Sequence, residues 1–438
     1  MTSTRVDAVR LGESANDGAA PFGRPLDGVR ILSLEQMQAL PYATQLMARL
    51  GADVIKVEQA GRGDAGRQSS PTVTRENGEV VGATFLRNNL NKRSVAVDLR
   101  SESGRRIVLD LVGHVDVVAE NLGPGRARRL GLDHASLEAD HPALVYLSIS
   151  GFGADDASPY ADWPAYASVA EAMSGIYEYA RVPHQPPVLS PTGGLGDSGT
   201  GLFAVIGVLA ALRHREATGA GQLVDVSMLD AMVALCDVSY NFASLGFGRP
   251  PDEPMRMPII LSSCRCADGW FILQVGRDHQ FERFARIVGH DEWLTDPRLS
   301  DRAGWSGHFE DVIRPALQAW ASGLTMAEAA RRLAEGGIAA APCTRPEAVA
   351  VDPHVVRRHM VVELPRTDGA GPPVLVGGNP IKLSKMREGP DRDVPLLGEH
   401  TDEVLAGLLG ADAASIARWT ADGVVRPAAS RTDGGESP

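Results

Sequence analysis

Cysteine is scarce in this chain. Four thiols, Cys236, Cys264, Cys266 and Cys343, are spread over 438 residues. They are too few and too scattered for a disulfide framework, so a reducing, cytoplasmic compartment is expected. Cys264-Arg265-Cys266 has no histidine or cysteine partners at zinc spacing. Buried or strand-alternating thiols are expected there, and no metal or redox cofactor. Basic charge is also in deficit. With 43 Lys and Arg against 55 Asp and Glu, the formal net charge is −12. Nucleic acid is excluded as a partner on that ground, because phosphate binding requires a basic surface. A local group of arginines still suffices for an anionic small molecule. Long apolar runs are missing too. The longest, 202–212, is far short of the roughly 20 residues of a membrane span, and no membrane partner is expected. Residues 1–22 lack a basic-then-apolar signal pattern. They and 428–438 read as small, polar, disordered tails. No internal repeat is found.

What remains is the composition of a soluble globular protein, 44% hydrophobic and 22% charged. The length exceeds one ordinary core, so two domains are expected. Residues 29–34 read as a buried strand, 42–50 as a helix that stops at Gly51, and 52–58 as the next strand. Strand, helix and strand in about 30 residues is a βαβ unit and implies parallel pairing. The pattern recurs in strand 94–98, helix 104–112, strand 115–120 and strand 143–149. The fold class is α/β, with a doubly wound large domain. After Gly221 the texture changes. Residues 224–236 read as a helix, 241–258 as a Gly-, Pro- and Met-rich crossing loop, and 270–275 as a strand. Segments 281–288, 309–322 and 326–336 have helical spacing. The expected division is a tail at 1–24, the large domain at 25–225 and a smaller α+β domain at 226–330. A return segment at 331–427 completes the large domain, with a tail at 428–438.

The most informative stretch is Gly193-Gly194-Leu195-Gly196-Asp197-Ser198-Gly199-Thr200-Gly201, one carboxylate among five glycines. Glycine permits positive φ and close approach of a bulky ligand. Asp197 is therefore expected at the mouth of a helix, exposed to a large substrate and suited to nucleophilic attack. Helix capping is the plainer role for an aspartate there. Gly194, Gly196 and Gly199 formally spell G-x-G-x-x-G, but a dinucleotide fingerprint follows the first strand of a βαβ unit. This one follows a proline-broken segment, and the first βα turn, 35–40, has no glycine. Glu58 then reads as a polar residue at a strand end. Asp64, with Arg62 and Arg67 nearby, reads as part of a solvated loop more readily than as an anion cradle. Arg126, Arg128 and Arg129 follow a tight turn and suit a phosphate as well as they suit a solvated helix start. His400 reads as a residue capping a late helix. No Ser-His-Asp or Cys-His order is present.

Several strings together resemble the family III CoA-transferases, and the related α-methylacyl-CoA racemases. They are 25–32, 50–58, Asn91-Lys92-Arg93-Ser94, 120–125, Gly196-Asp197-Ser198-Gly199-Thr200-Gly201 and 395–402. The resemblance runs from about Pro25 to Leu408. It implies a transferase moving CoA between an acyl-CoA and a small carboxylic acid, with CoA as substrate. Asp197 matches the catalytic aspartate and Gln38 the glutamine of the transferase active site. Met37, Ala39, Leu99, Tyr166 and Gly196 fall at CoA-lining positions, and Arg129 matches an arginine that contacts CoA phosphate. The implied fold is a Rossmann-like large domain with a small domain, in two interlocked copies forming a homodimer. Gln59 stands where a basic residue is usual, and Pro164 where some members have lysine. The racemase branch carries Ala-Gly-His-Asp where this chain has Pro164-Ala165-Tyr166-Ala167. Proton abstraction needs a positioned base, so a transferase is expected ahead of a 2-methylacyl-CoA racemase or a non-catalytic CoA-binding protein.

Overall fold

Six apolar segments come together as one parallel sheet in the computed structural model of this protein. They are β1 (Arg30–Leu34), β2 (Asp53–Gln59), β3 (Arg93–Val97), β4 (Val117–Glu120), β5 (Val145–Ser150) and β6 (Gln222–Ser227). Their order is β3-β2-β1-β4-β5-β6, with a short antiparallel strand, Val425–Arg426, outside β3. This is a doubly wound order, and its direction reverses between β1 and β4. The structure describes residues 9–75, 78–123, 125–154, 158–190, 192–246, 257–366 and 371–427. The expected tail at 428–438, the first eight residues of the one at 1–24, and 247–256 of the crossing loop lie outside the described residues.

Both faces of the sheet are covered, which is why its strands read as nearly continuous apolar runs. One face carries Ile31, Val54, Val117, Val145 and Leu147 against helices α1 (Ala39–Arg49) and α6 (Leu195–Thr218). The other carries Leu32, Ile55, Val95, Val118 and Tyr146 against α3 (Glu102–Val112) and the helix Thr401–Leu409. Each large side chain removed from water here stabilises the fold by roughly 1.5–3 kcal/mol. Short helices complete the connections: α2 (Ala83–Asn88), α4 (Arg126–Leu130), α5 (Ala167–Met173) and α7 (Met228–Leu235). At the far end of α6, Arg215 pairs with Asp116 at 3.0 Å, and Asp116 also accepts the Arg30 backbone N–H at 2.8 Å. That helix end is thereby fixed to the amino edge of the sheet.

The chain divides into two compact units, 1–180 with 187–248 and 353–438, and 181–186 with 249–352. Residues 224–227, expected as the start of a helix, form the edge strand β6. The alternation of Leu223, Val224, Asp225 and Val226 suits a strand, and the Ser227 side chain caps α7 by accepting from Asp230 N–H. The helix Asp237–Ser244 takes in the first four residues, 241–244, of the expected crossing loop. Val9–Arg10, placed in a tail by composition, pairs with Val362 and Glu363. The second unit is an antiparallel sheet of Ile260–Arg265, Trp270–Val275 and Ala339–Pro342. Helices cover it around Phe271, Phe281, Phe284, Trp293 and Trp305, and Cys264 and Cys266 are buried in that core.

Helix α6 has 24 residues, more than its longest apolar run implied, and is long and apolar enough by length and composition to cross a membrane. Half of its most apolar window is buried, however. The four glycines inside it, Gly207 included, serve close packing rather than backbone freedom. A Cβ on Gly196 would lie 3.1 Å from Ala167 Cα, on Gly199 2.5 Å from Leu235 Cδ1, and on Gly201 2.9 Å from Tyr42 Cδ1 and 3.0 Å from the Ala39 carbonyl. Gly201→Ala would therefore push α6 off α1. We expect it to lower stability by about 1–2 kcal/mol in chemical denaturation, although alanine gains about 1 kcal/mol in helix propensity. Gly199→Ala meets only the end of a leucine side chain and should cost less. Equal midpoints for the two variants would refute this account.

Candidate active site

The carboxyl ends of the parallel strands carry the residues singled out in the sequence. The turn after β1 holds Met37 and Gln38, and Ala39 opens α1. Leu99 lies just past β3, Arg129 in α4 past β4, and Tyr166 before α5. Open α/β sheets bind ligands at this edge, where the strand order reverses. There Asn121 joins the two flanking loops: its Oδ1 accepts from Gln36 N–H at 3.0 Å and its Nδ2 donates to the Gln36 carbonyl at 3.0 Å. A cavity of about 590 Å³ lined by Arg24, Arg30, Arg93 and Arg392 opens at the opposite, amino edge of the sheet, away from all of these residues.

Asp197 lies in the first turn of α6. It is not the helix cap. That position is Gly194, with φ 137°, after Gly193 with φ 63°. Both are in the region that favours glycine, so the chain enters α6 through a backbone that other residues adopt only under strain. Gln38 occupies the cap position of α1. A Cβ built on Gly194 would lie 2.7 Å from Gln38 Nε2 and 2.8 Å from Asp197 Oδ2. The amide and the carboxylate thus close on one point above Gly194, and only glycine leaves that point open. Gln38 Oε1 accepts a hydrogen bond from Arg87 Nη2, which leaves its Nε2–H donors to face the point above Gly194. Gln45 fixes the segment bearing Arg87, donating to the Arg87 carbonyl at 2.8 Å and accepting from Leu90 N–H at 2.7 Å.

Electrostatics single out Asp197. Burial, and then the neighbouring Glu171 carboxylate, push it up to about 6, against the opposing pull of Arg87. Its carboxylate is therefore unusually basic, but ionised at neutral pH. Glu171 is buried, and its Oε1 accepts from Gly196 N–H at 2.9 Å while its Oε2 accepts from the Tyr177 hydroxyl.

Beneath the Gln38 turn lies a buried ionic network. Lys56 Nζ reaches Asp64 at 2.6 Å and Glu35 at 3.2 Å, and Lys92 reaches Glu35 at 2.6 Å, with all four side chains fully buried. Thr44 donates to the other oxygen of Glu35. Burial raises Glu35, but Lys56 and Lys92 outweigh it and hold the carboxyl down to about 2. Burial and then Lys56 bring Lys92 down to about 8, despite Glu35. The network reaches the site through backbone: Asp64 Oδ1 accepts from Met37 N–H at 2.9 Å, where Met37 has φ 64°. Asp64 is thus buried, not part of a solvated loop. Arg67 is committed to Glu58 by a two-point pair at 2.8 and 2.7 Å and is unavailable to an anion. Glu58 is the buried partner of Arg67 and Ser94.

Of the residues picked from the sequence, the structure brings Asp197, Gln38 and Gly196 together, with Met37 and Ala39 flanking Gln38. Tyr166, 71% exposed, precedes Ala167, which packs on Gly196. Leu99 is partly buried against the sheet face that α3 covers, and Arg129 is exposed. Among the described residues no hydrogen bond joins these last two to Asp197 or Gln38. Sequence reasoning missed Arg87 and Glu171. Each meets the site across a long separation, and no local pattern marks either. His400 stands at a cap position but does not cap; its Nδ1 accepts from Ser94 N–H at 3.2 Å.

Residues 26–401 match the profile of CoA-transferase family III. The succinyl-CoA:mesaconate CoA-transferase of Haloarcula hispanica is 32% identical over 390 residues, covering 87% of this chain and 95% of that protein. The formyl-CoA:oxalate CoA-transferase of Streptomyces coelicolor is 33% identical over 405 residues, covering 88% and 96%. Among solved structures, a CAIB/BAIF family protein from Brucella suis superposes with a TM-score of 0.77 at 31% identity, covering 88% of this chain and all of that one.

Proposed function

The chain belongs to CoA-transferase family III, and from that premise we propose that it moves CoA between an acyl-CoA thioester and a carboxylic acid through a mixed anhydride on Asp197. The observation that carries this reading is the convergence of the Asp197 carboxylate and the Gln38 amide above Gly194. A carboxylate oxygen of Asp197 attacks the thioester carbonyl carbon. The C–S bond breaks, and CoA leaves as the thiolate. The thiolate next attacks the Asp197 carbonyl, releasing the donor acid and leaving an aspartyl thioester. The acceptor carboxylate displaces the thiolate to give a second anhydride, and thiolate attack on the acceptor carbonyl yields the new acyl-CoA and free Asp197. The first and third steps trade an acyl–sulfur bond for an acyl–oxygen bond, the second and fourth do the reverse, and none needs water or a proton. Gln38 Nε2–H, aimed by Arg87, stabilises the oxyanion of each tetrahedral intermediate. Met37, Ala39, Leu99, Arg129, Tyr166 and Gly196 line the CoA path in this reading, along the edge of the sheet that ends at Asp197.

The test is mass spectrometry of the protein after mixing with a panel of acyl-CoAs, followed by hydroxylamine. Succinyl-CoA is the first donor to try, because relatives at about a third identity are named for it. An adduct on Asp197 that hydroxylamine converts to the hydroxamate supports the reading. No adduct with any donor, while CoA still binds, refutes it.

The reading includes a homodimer. Leu202, Ile206 and Leu209 form one stripe of α6 and are 46%, 62% and 36% exposed, an apolar face that a soluble protein ordinarily covers. Ile206→Glu is expected to shift the sedimentation coefficient from dimer to monomer. A wild-type chain that sediments as a monomer refutes the dimer.

A further inference from the structure

We infer that Glu171 is a positioning residue for the acylation of Asp197, locking the first turn of α6 and setting a second negative charge beside the nucleophile that acylation relieves. The inference rests on Asp197 being the nucleophile. Its own basis is geometric. The first N–H groups of a helix lack intrahelical partners and are ordinarily met by a capping side chain or by water. Here the Gly196 N–H is met by Glu171 Oε1 at 2.9 Å, from a different helix. Glu171 is only 2% exposed. Its other oxygen is taken by the Tyr177 hydroxyl, so the side chain has no freedom to swing away. Gly196 has no Cβ, which lets α5 approach closely enough for this contact.

Among the described residues, the groups that face Asp197 are Glu171 from α5, Arg87 from α2 and the neutral amide of Gln38 at the cap of α1. Arg87 already donates to Gln38 Oε1; burial is the largest cause of the rise of Asp197 to about 6, Glu171 adds to it, and the opposing pull of Arg87 comes after both. A free Asp197 carboxylate therefore sits beside like charge in a partly dry site. Once acylated, the side chain is neutral and the repulsion vanishes. An interaction that is unfavourable in the ground state and fades toward the transition state speeds the step. Glu171 never touches the substrate in this scheme. It acts through the helix turn and the field at Asp197.

The experiment follows hydroxylamine-trapped acyl adduct on Asp197 against pH, with succinyl-CoA and the other donors of the panel, in the wild type and in E171Q, E171D and Y177F. Glutamine keeps an acceptor for Gly196 and a partner for Tyr177 but removes the charge. The wild-type midpoint is expected near 6. E171Q should lower it by about 1 pH unit and slow adduct formation at pH 8 several-fold. E171D and Y177F, which keep the charge, should leave the midpoint where it is. If E171Q does not fold, E171M replaces it with the same expected shift. A wild type without adduct would fail the nucleophile itself. An adduct whose midpoint is the same in the wild type and the neutral variant, or moves as far in Y177F, would overturn the role of Glu171 and leave Asp197 intact. A purely structural role would lower the amount of adduct without moving the midpoint.

Discussion

An Asp197→Ala variant is expected to lose CoA transfer by at least about 1,000-fold, equivalent to roughly 4 kcal/mol of barrier, while still binding CoA. In the proposed mechanism, removing the nucleophile eliminates the covalent step, and Gln38 alone has nothing to stabilise. The same variant should be no less stable than the wild type, and this second half separates chemistry from damage. Asp197 titrates near 6 in the native protein against an ordinary 3.8. Between those values the native state holds a proton that the unfolded chain has released. Stability therefore falls as pH rises through that window, and the full penalty is present at pH 7. Alanine removes it. Denaturation at pH 7 should give a midpoint equal to or above wild type. A variant that transfers at more than about a tenth of the wild-type rate, or that is clearly destabilised at pH 7, would contradict the assignment.

Lys56→Met is expected to be the most damaging single change to stability, about 3–5 kcal/mol. Lys56 is fully buried between Asp64 and Glu35, and its loss leaves Asp64 without its close cation and Glu35 with Lys92 alone. Burying an unpaired carboxylate is far costlier than burying none. The pH dependence has a definite sign. Glu35 is held near 2, below its ordinary 4.5, so its contribution is present above 4.5 and is lost as pH falls toward 2. Without Lys56 its pKa rises, and acid unfolding should begin at higher pH. The variant should also transfer more slowly, because Asp64 holds Met37 N–H and Lys56 reaches the Glu35 carbonyl at 3.4 Å, both in the turn that presents Gln38. Urea denaturation showing a loss below about 1 kcal/mol would refute the network's structural role.

The βαβ pattern was legible because a sheet covered on both faces writes itself as successive apolar runs, and five of the six parallel strands announce themselves that way. The sixth, β6, did not: it lies at the edge, alternates, and leads straight into α7. Asp197 was legible from the density of glycine around it, although only Gly193 and Gly194 use positive φ. The other three are there because neighbouring helices press on α6, which no local reading reveals. Asp64 and Arg67 looked solvated because charge in a glycine-rich loop ordinarily is. Their partners, Lys56 and Glu58, lie on β2, and only the fold brings them within 3 Å. Arg87 and Glu171 were invisible for the same reason. Glu171 in particular sits in an Ala-Glu-Ala run with the look of an outward-facing helix residue.

Helix α6 can also be regarded as a mechanical part. Eighteen residues separate Asp197 from Arg215, a span of about 27 Å at 1.5 Å per residue. The strut is pinned at its far end by Asp116, which also grips the first residue of β1. At its near end it is held by Glu171 and by the close seat on α1. A rod clamped at both ends resists tilting, so the placement of Asp197 is set from the amino edge of the sheet as well as from the residues around it. Slack introduced at Asp116 would let α6 pivot about its near-end contacts and shift Asp197 with it.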